Sequence, residues 1–203
     1  MNRLASFLLA AGLLAQVHSV YLQAHEPVLP LVESRAPAIS PRTMAVDPAP
    51  SGLEVTPLAQ QTSGSQGQAC VAMAVNFLTG KKLDENDINA KYGYELLRAL
   101  RQECAEVGYD WKDGGEVGPD CWELIEHKVQ NEQSPVLLAL NGPEFSPSGR
   151  GHIVLVSKVE GEKVTFADPA TGTFRSSTRG QINAAPQHPQ GNFIFYADRM
   201  ETR

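Results

Sequence analysis

Read for apolar spacing, the chain divides into a helical first half and a strand-like second half. The stretch CVAMAVNFL follows the polar run QTSGSQGQA and predicts a helix over residues 70–78. LDENDINAKYG predicts a short helix that Asp84 can cap. In YELLRALRQECAEVG, Leu97, Leu100, Cys104 and Val107 recur at helical spacing and Gly108 stops the run. GPDCWELIEHKVQN starts another helix, with Pro119 in its first turn. From residue 134 the period shortens. SPVLLAL, HIVLVSKV, KVTFAD and NFIFYAD are short apolar or alternating runs set off by Gly, Pro and Asn, and these predict strands. A short extended piece, LEVTPLAQ, precedes them all. Helices first and strands later predict an α+β fold, with N-terminal helices packed on a C-terminal antiparallel sheet.

The first residues have a different pattern. Arg3 precedes an apolar run over residues 4–17, and small residues follow near Ser19 and Ala24. The run is shorter than the roughly 20 apolar residues that cross a bilayer, so residues 1–24 read as a signal peptide, with an uncleaved anchor as the alternative. The expected location is therefore secreted or periplasmic, with no stable membrane insertion after cleavage. Residues 25–52 are rich in proline without helical or strand period, which predicts a linker or pro-segment. A single domain is expected over residues 53–203. The formal net charge of −6 and the lack of a basic run argue against nucleic acid or an anionic membrane as partner. The cysteine and histidine spacings match no metal motif, and no glycine-rich loop matches a phosphate cradle, so no cofactor is expected.

Export alters the meaning of the three cysteines, since an oxidising compartment leaves at least one without an intramolecular partner. If the two cysteine-bearing helices pack antiparallel, Cys104 and Cys121 lie at adjoining ends and form the expected disulfide. Cys70 is then the odd thiol, placed where a Gly/Ser/Gln loop meets a helix. A helix N-terminus favours the thiolate, which is the nucleophilic form, although a free cysteine there also reads as a small buried hydrophobe.

A nucleophilic thiol needs a base and a group to orient it. His18 and His25 fall in the signal and linker, His127 lies among charged helical neighbours, and His188 sits in the loop AAPQHPQG with no element to fix it. His152 opens the strand HIVLVSKV. The hairpin signal at Glu160-Gly161-Glu162 pairs this strand with KVTFAD. Pairing Val159 with Lys163 puts His152 opposite Ala170 and makes Asp168 its diagonal neighbour on the same face, about 7–8 Å away. A slip of one residue would separate them.

These residues resemble the papain-like superfamily of cysteine peptidases, specifically the C39-like peptidase domains. In that group a glutamine follows an extended segment and precedes the nucleophilic cysteine, which begins a helix. A Gly-His pair later opens a strand, and an Asp-Pro pair ends the next. The matching pieces are VTPLAQQ, QACVAMAVNFLTG and GHIVLVSKVEGEKVTFADPATG, within residues 55–172. The resemblance implies a papain-like fold with Cys70 as nucleophile, His152 as general base and acid, and Asp168 as the orienting carboxylate. It also implies an oxyanion hole made by a glutamine side chain and the cysteine N–H.

Two departures stand out. The family commonly has Gly or Trp after the cysteine, where this chain has Val71. Its glutamine usually lies about six residues before the cysteine, where this chain has Gly64. An insertion in SGSQGQ would assign the oxyanion role to Gln60, with Gln61 next and Gln66 a more distant choice.

The function implied is an exported cysteine peptidase or amidase that hydrolyses peptide bonds through a thioester, with a peptide or protein as substrate. Acyl transfer uses the same triad and stays open. The alternative, motivated by Val71 and the displaced glutamine, is a catalytically inactive papain-like binding or inhibitory module.

Overall fold

The computed structural model describes residues 52–191 and 193–201. The expected signal peptide and all of the Pro-rich segment but Gly52 lie outside the described residues. From Leu53 a segment without regular structure, in which Leu53 and Val55 are buried, leads to helix α1 (Gln66–Thr79). This helix begins one turn before the expected start. Nine consecutive residues, from Gly67 to Val75, are buried, because α1 lies against strand β3 (His152–Glu160) and against helices α2 (Glu85–Tyr92) and α3 (Leu96–Cys104). A helix enclosed by neighbours needs no polar face, so the period carries less information than the neighbours do. Gly67 is required by this packing: a Cβ there would come 2.5 Å from Leu96 Cδ1. Gly80 ends the helix in the left-handed region at φ 73°.

The expected cap on α2 is present. Asp84 accepts from the backbone N–H of Asn86 and Asp87, and Asp87 accepts in return from that of Asp84. Gly108 stops the α3 run as expected, at φ 79°. The chain then enters a strand, β1 (Tyr109–Asp113), that the period does not announce. A 3₁₀ turn (Pro119–Cys121), the short helix α4 (Trp122–Glu126) and a π-helical turn (His127–Asn131) replace the single second helix.

The expected disulfide is therefore not formed. With β1 inserted after α3, the two cysteine-bearing helices do not make a hairpin, and Cys104 and Cys121 are both free, buried thiols. Burial pushes the Cys104 thiol up to about 11.

The sheet has six antiparallel strands in the order β1-β6-β2-β3-β4-β5, where β2 is Val136–Leu140, β4 Lys163–Asp168, β5 Thr173–Thr178 and β6 Ile194–Arg199. A last short helix, α5 (Arg179–Ala184), follows β5. β2 and β3 are buried almost throughout, and they read as continuous apolar runs for that reason. β5, with the sequence TFRSST, is an edge strand with only Ser177 buried, so its polarity hides it from a hydrophobic reading.

The β3–β4 hairpin closes through the two-residue loop Gly161-Glu162, with Glu160 opposite Lys163 and Val159 opposite Val164. That differs by one residue from the expected pairing of Val159 with Lys163. A bulge between Val156 and Lys158 then absorbs one residue, so that Val156 faces Phe166 and Leu155 faces Ala167. Beyond the bulge the expected register holds, and His152 and Asp168 share a face as anticipated. The bulged Ser157 turns its carbonyl to the Leu53 N–H, at 2.8 Å, which ties the N-terminal segment to the sheet.

Candidate active site

The structure brings His152 and Asp168 together. His152 Nε2 lies 2.7 Å from Asp168 Oδ1, with both residues almost wholly buried. Burial would raise the Asp168 carboxyl. The hydrogen bond and charge of His152 outweigh it, helped by the Arg175 guanidinium and the Ala170 N–H, and hold the group at about 2. Arg175 Nη1 donates to Oδ2 at 2.6 Å and the Ala170 N–H donates to Oδ1 at 2.8 Å. Because the carboxylate is ionised, the imidazole must donate through Nε2–H, which leaves Nδ1 as the lone-pair nitrogen of the neutral ring. Arg175 also donates to the Glu144 carbonyl, linking the aspartate to the loop over residues 141–151. Nothing in TFRSST marked Arg175 in advance; it reaches Asp168 only because β5 pairs with β4.

Cys70 lies in the interior. It sits one turn inside α1, has no exposed surface, and donates its Sγ–H to the Ile153 carbonyl at 3.3 Å. Burial pushes the thiol well up, and the nearby negative Asp168 raises it further. It is thus a protonated interior thiol beside the His-Asp pair, and it is not among the residues lining the grooves there.

The residue at the mouth of α1 is Gln66. It is half-buried and lines a groove of about 170 Å³ together with Gln60, Gly64, Arg150, Gly151 and His152. Gln66 and Cys70 are four apart, so they share one helix face with Gln66 a turn nearer the solvent. Both departures from the family pattern vanish when position 66 is taken as the site: Gly67 follows it, and Gln60 stands six residues before it. No insertion is then needed.

Of the glutamines considered for the oxyanion role, Gln60 and Gln61 are separated by the structure. Gln60 lines the groove, and its N–H donates to the Pro169 carbonyl at 2.8 Å, next to Asp168. Gln61 turns its side chain to Asn86.

A second groove, of about 240 Å³, continues past Gln66 and Arg150 to Tyr94, Leu96 and His188. His188 is fixed after all. Its ring is buried against Gly151, and its Nδ1 accepts from the Gln190 N–H at 3.1 Å. Burial lowers its proton affinity, and the neighbouring His152 lowers it further. The contact explains Gly151, whose φ is 84° and whose added Cβ would stand 2.0 Å from His188 Nε2. Gly151→Ala should cost about 3 kcal/mol or more, from left-handed strain together with overpacking. Urea denaturation should show this as a lowered midpoint with an unchanged slope.

Solved structures of low sequence similarity share this architecture. A protein described as a C39-like peptidase from Bacillus anthracis gives a TM-score of 0.54 at 14% identity, covering 75% of this chain and 100% of that one. A double-glycine-motif protease from an AMS/PCAT transporter, in complex with a leader peptide, gives 0.50 at 14% identity, covering 72% and 94%. The peptidase domain of Streptococcus ComA, a bifunctional ABC transporter of a quorum-sensing pathway, gives 0.50 at 12% identity, covering 71% and 99%. No family model matches the sequence, and no curated protein matches it. With its helices set against a six-stranded antiparallel sheet, the chain has the papain-like α+β fold of the C39-like peptidase domains.

Proposed function

We propose that this chain is an exported papain-like module that binds an extended peptide in the cleft at Gln66 and leaves its peptide bonds intact. One observation carries the reading: the helix mouth beside His152 holds Gln66, whose carboxamide is no nucleophile, while the thiol of Cys70 is protonated and enclosed. A peptide as ligand is supported by the open groove on both sides of Gln66 and by a fold neighbour that was solved with a leader peptide. The His152–Asp168 pair then serves the cleft wall, where Arg175 and the Ala170 N–H complete its hydrogen bonding.

A second reading, a cysteine peptidase with Cys70, His152 and Asp168 as triad, is favoured by the position of Cys70 Sγ against the carbonyl next to His152. It requires the first turn of α1 to open. Both readings meet one test on the full chain. Under the first, denatured casein stays intact, iodoacetamide at pH 6 leaves Cys70 unlabelled, and the immobilised chain retains a subset of a peptide pool. Gln66→Trp, which fills the groove, should weaken that retention at least tenfold. Rapid labelling confined to Cys70, with cleavage abolished by His152→Ala, would overturn the first reading in favour of the second.

A further inference from the structure

Glu85 is a buried carboxylate that neither reading uses. It opens α2, with Asp84 already serving as that helix's cap, and it is only 3% exposed. Four donors converge on it from the loop before α1. The Gln61 N–H lies 2.8 Å from Oε2 and the Thr62 N–H 3.0 Å from Oε1. The Thr62 hydroxyl lies 3.5 Å from Oε1 and the Ser65 hydroxyl 2.8 Å from Oε2. Hydrogen bonds to an ionised acceptor are about twice as strong as neutral ones, so this set fixes the loop firmly.

Its effect on Ser65 is the informative part. Ser65 occupies the N-cap position of α1, and serine is among the preferred residues there because its oxygen accepts from the second or third helical N–H. Here Ser65 makes no such bond. Its hydroxyl is directed instead to Glu85 and to the Thr62 carbonyl, both at 2.8 Å. The first turn of α1 also carries no acidic residue. The helix that ends at the cleft is thus left without a side-chain cap, with Ser65 held at φ −93° and ψ 15°, outside the extended backbone of an ordinary N-cap.

We propose that Glu85 is a positioning residue of the cleft: it draws the loop over residues 61–65 onto α2 and holds the Ser65 hydroxyl away from the α1 terminus, so that Gln60 and Gln66 face His152 across an uncapped helix end. The proposal rests on Gln66 marking the functional position. It assigns Glu85 an electrostatic role opposite to its own charge. A carboxylate near the cleft disfavours a second anion there, yet by removing the cap it leaves the first helix N–H groups without a side-chain acceptor.

Two readouts test this in the full chain. In the otherwise native sequence, Glu85→Gln should release the Ser65 backbone to the extended conformation of an N-cap and let its hydroxyl cap the helix, slowing amide hydrogen exchange at Gly67 or Gln68 at least threefold. Unchanged or faster exchange at both amides, in a variant that keeps its circular dichroism, overturns the proposal. Should Glu85→Gln fail to fold, Ser65→Ala with Glu85 intact decides between the outcomes. It should leave both amides within twofold of wild type, and a larger change shows that the hydroxyl was already capping and overturns the proposal.

The second readout places a thiol at the helix mouth with Gln66→Cys and follows iodoacetamide rates against pH. Adding Glu85→Gln should slow alkylation at pH 6 about threefold to tenfold, and further adding Ser65→Ala should restore most of the loss. Loss of the Glu85 charge alone has the opposite sign, since with His152, Asp168 and Arg150 unchanged it would speed alkylation. Faster alkylation therefore overturns the proposal. An introduced thiol that is inert at pH 6 while Glu85 is intact would count against Gln66 as the functional position. The amide result would still decide the role of Glu85.

Discussion

Gln66→Cys is expected to convert this chain into a thiol hydrolase, raising cleavage of a peptide pool at least about a hundredfold over the wild type. The remaining parts of the site are already placed. His152 presents Nδ1 as its lone-pair nitrogen because Nε2–H is committed to Asp168. Gln60 lies in the same groove as the helix mouth. A thiol at the first residue of a fourteen-residue helix would sit at the positive end of the helix dipole, with an imidazole nearby, and both lower a thiol's pKa. The check is alkylation at pH 6 followed by peptide mapping: labelling should fall on the introduced thiol, be slowed by His152→Ala, and spare Cys70. A Gln66→Cys chain without cleavage or low-pH reactivity would remove position 66 from the chemistry.

The second large effect concerns the carboxylate behind that histidine. Asp168→Ala should cost about 3 kcal/mol, because it leaves the buried His152 Nε2–H without its acceptor and takes the partner from Arg175, whose side chain keeps 37% of its surface in solvent. Asp168→Asn keeps the volume but not the charge and should cost less. Denaturant melts at pH 7 measure both.

The wild-type pH dependence follows from the same group. Its folded pKa of about 2 lies below the ordinary 3.8, so the ionised form stabilises the fold. That contribution is fully present above about pH 4 and is lost as pH falls through about 2. It amounts to roughly 2 kcal/mol on the linkage relation. Glu103 behaves alike. Burial would raise it, but Lys81, Lys91 and the Tyr92 hydroxyl, each at 2.7 Å, hold it at about 2. Acid titration of the wild type should therefore show stability falling between about pH 4 and 2, and Asp168→Ala should flatten part of that slope. A variant whose stability matches the wild type at pH 7 would show that Arg175 and His152 find other partners.

Which residue stands at the mouth of α1 has a single physical origin, the start of that helix. Polar residues with glycine read as loop, so the helix is expected to begin where the apolar run begins, at Cys70. In the folded chain the helix starts at Gln66, because Gly67 fits against Leu96 and Ile153 and because Gln68, only 1% exposed, donates to the Gly93 carbonyl at 2.9 Å. That one turn places Gln66 in the groove that His152 also lines and Cys70 in the interior. The hairpin shows the reverse case. The expected register is off by one at the turn, and a bulge at Ser157 that no spacing rule foretells restores it before His152 and Asp168 are reached.

The sequence alone determined the fold class, the Asp84 cap, the Gly108 stop, the four apolar strands and the pairing of His152 with Asp168. Each of these is written in local period, turn chemistry or a motif spanning a few residues. Only the tertiary structure decided that Cys70 lies inside, that Gln66 stands at the cleft, that Cys104 and Cys121 stay unbonded, that Arg175 reaches Asp168, that His188 packs on Gly151, and that Glu85 holds the loop before α1. Those facts depend on which segments are brought against one another across the fold, and a helix or loop carries no local record of the neighbour that will enclose it.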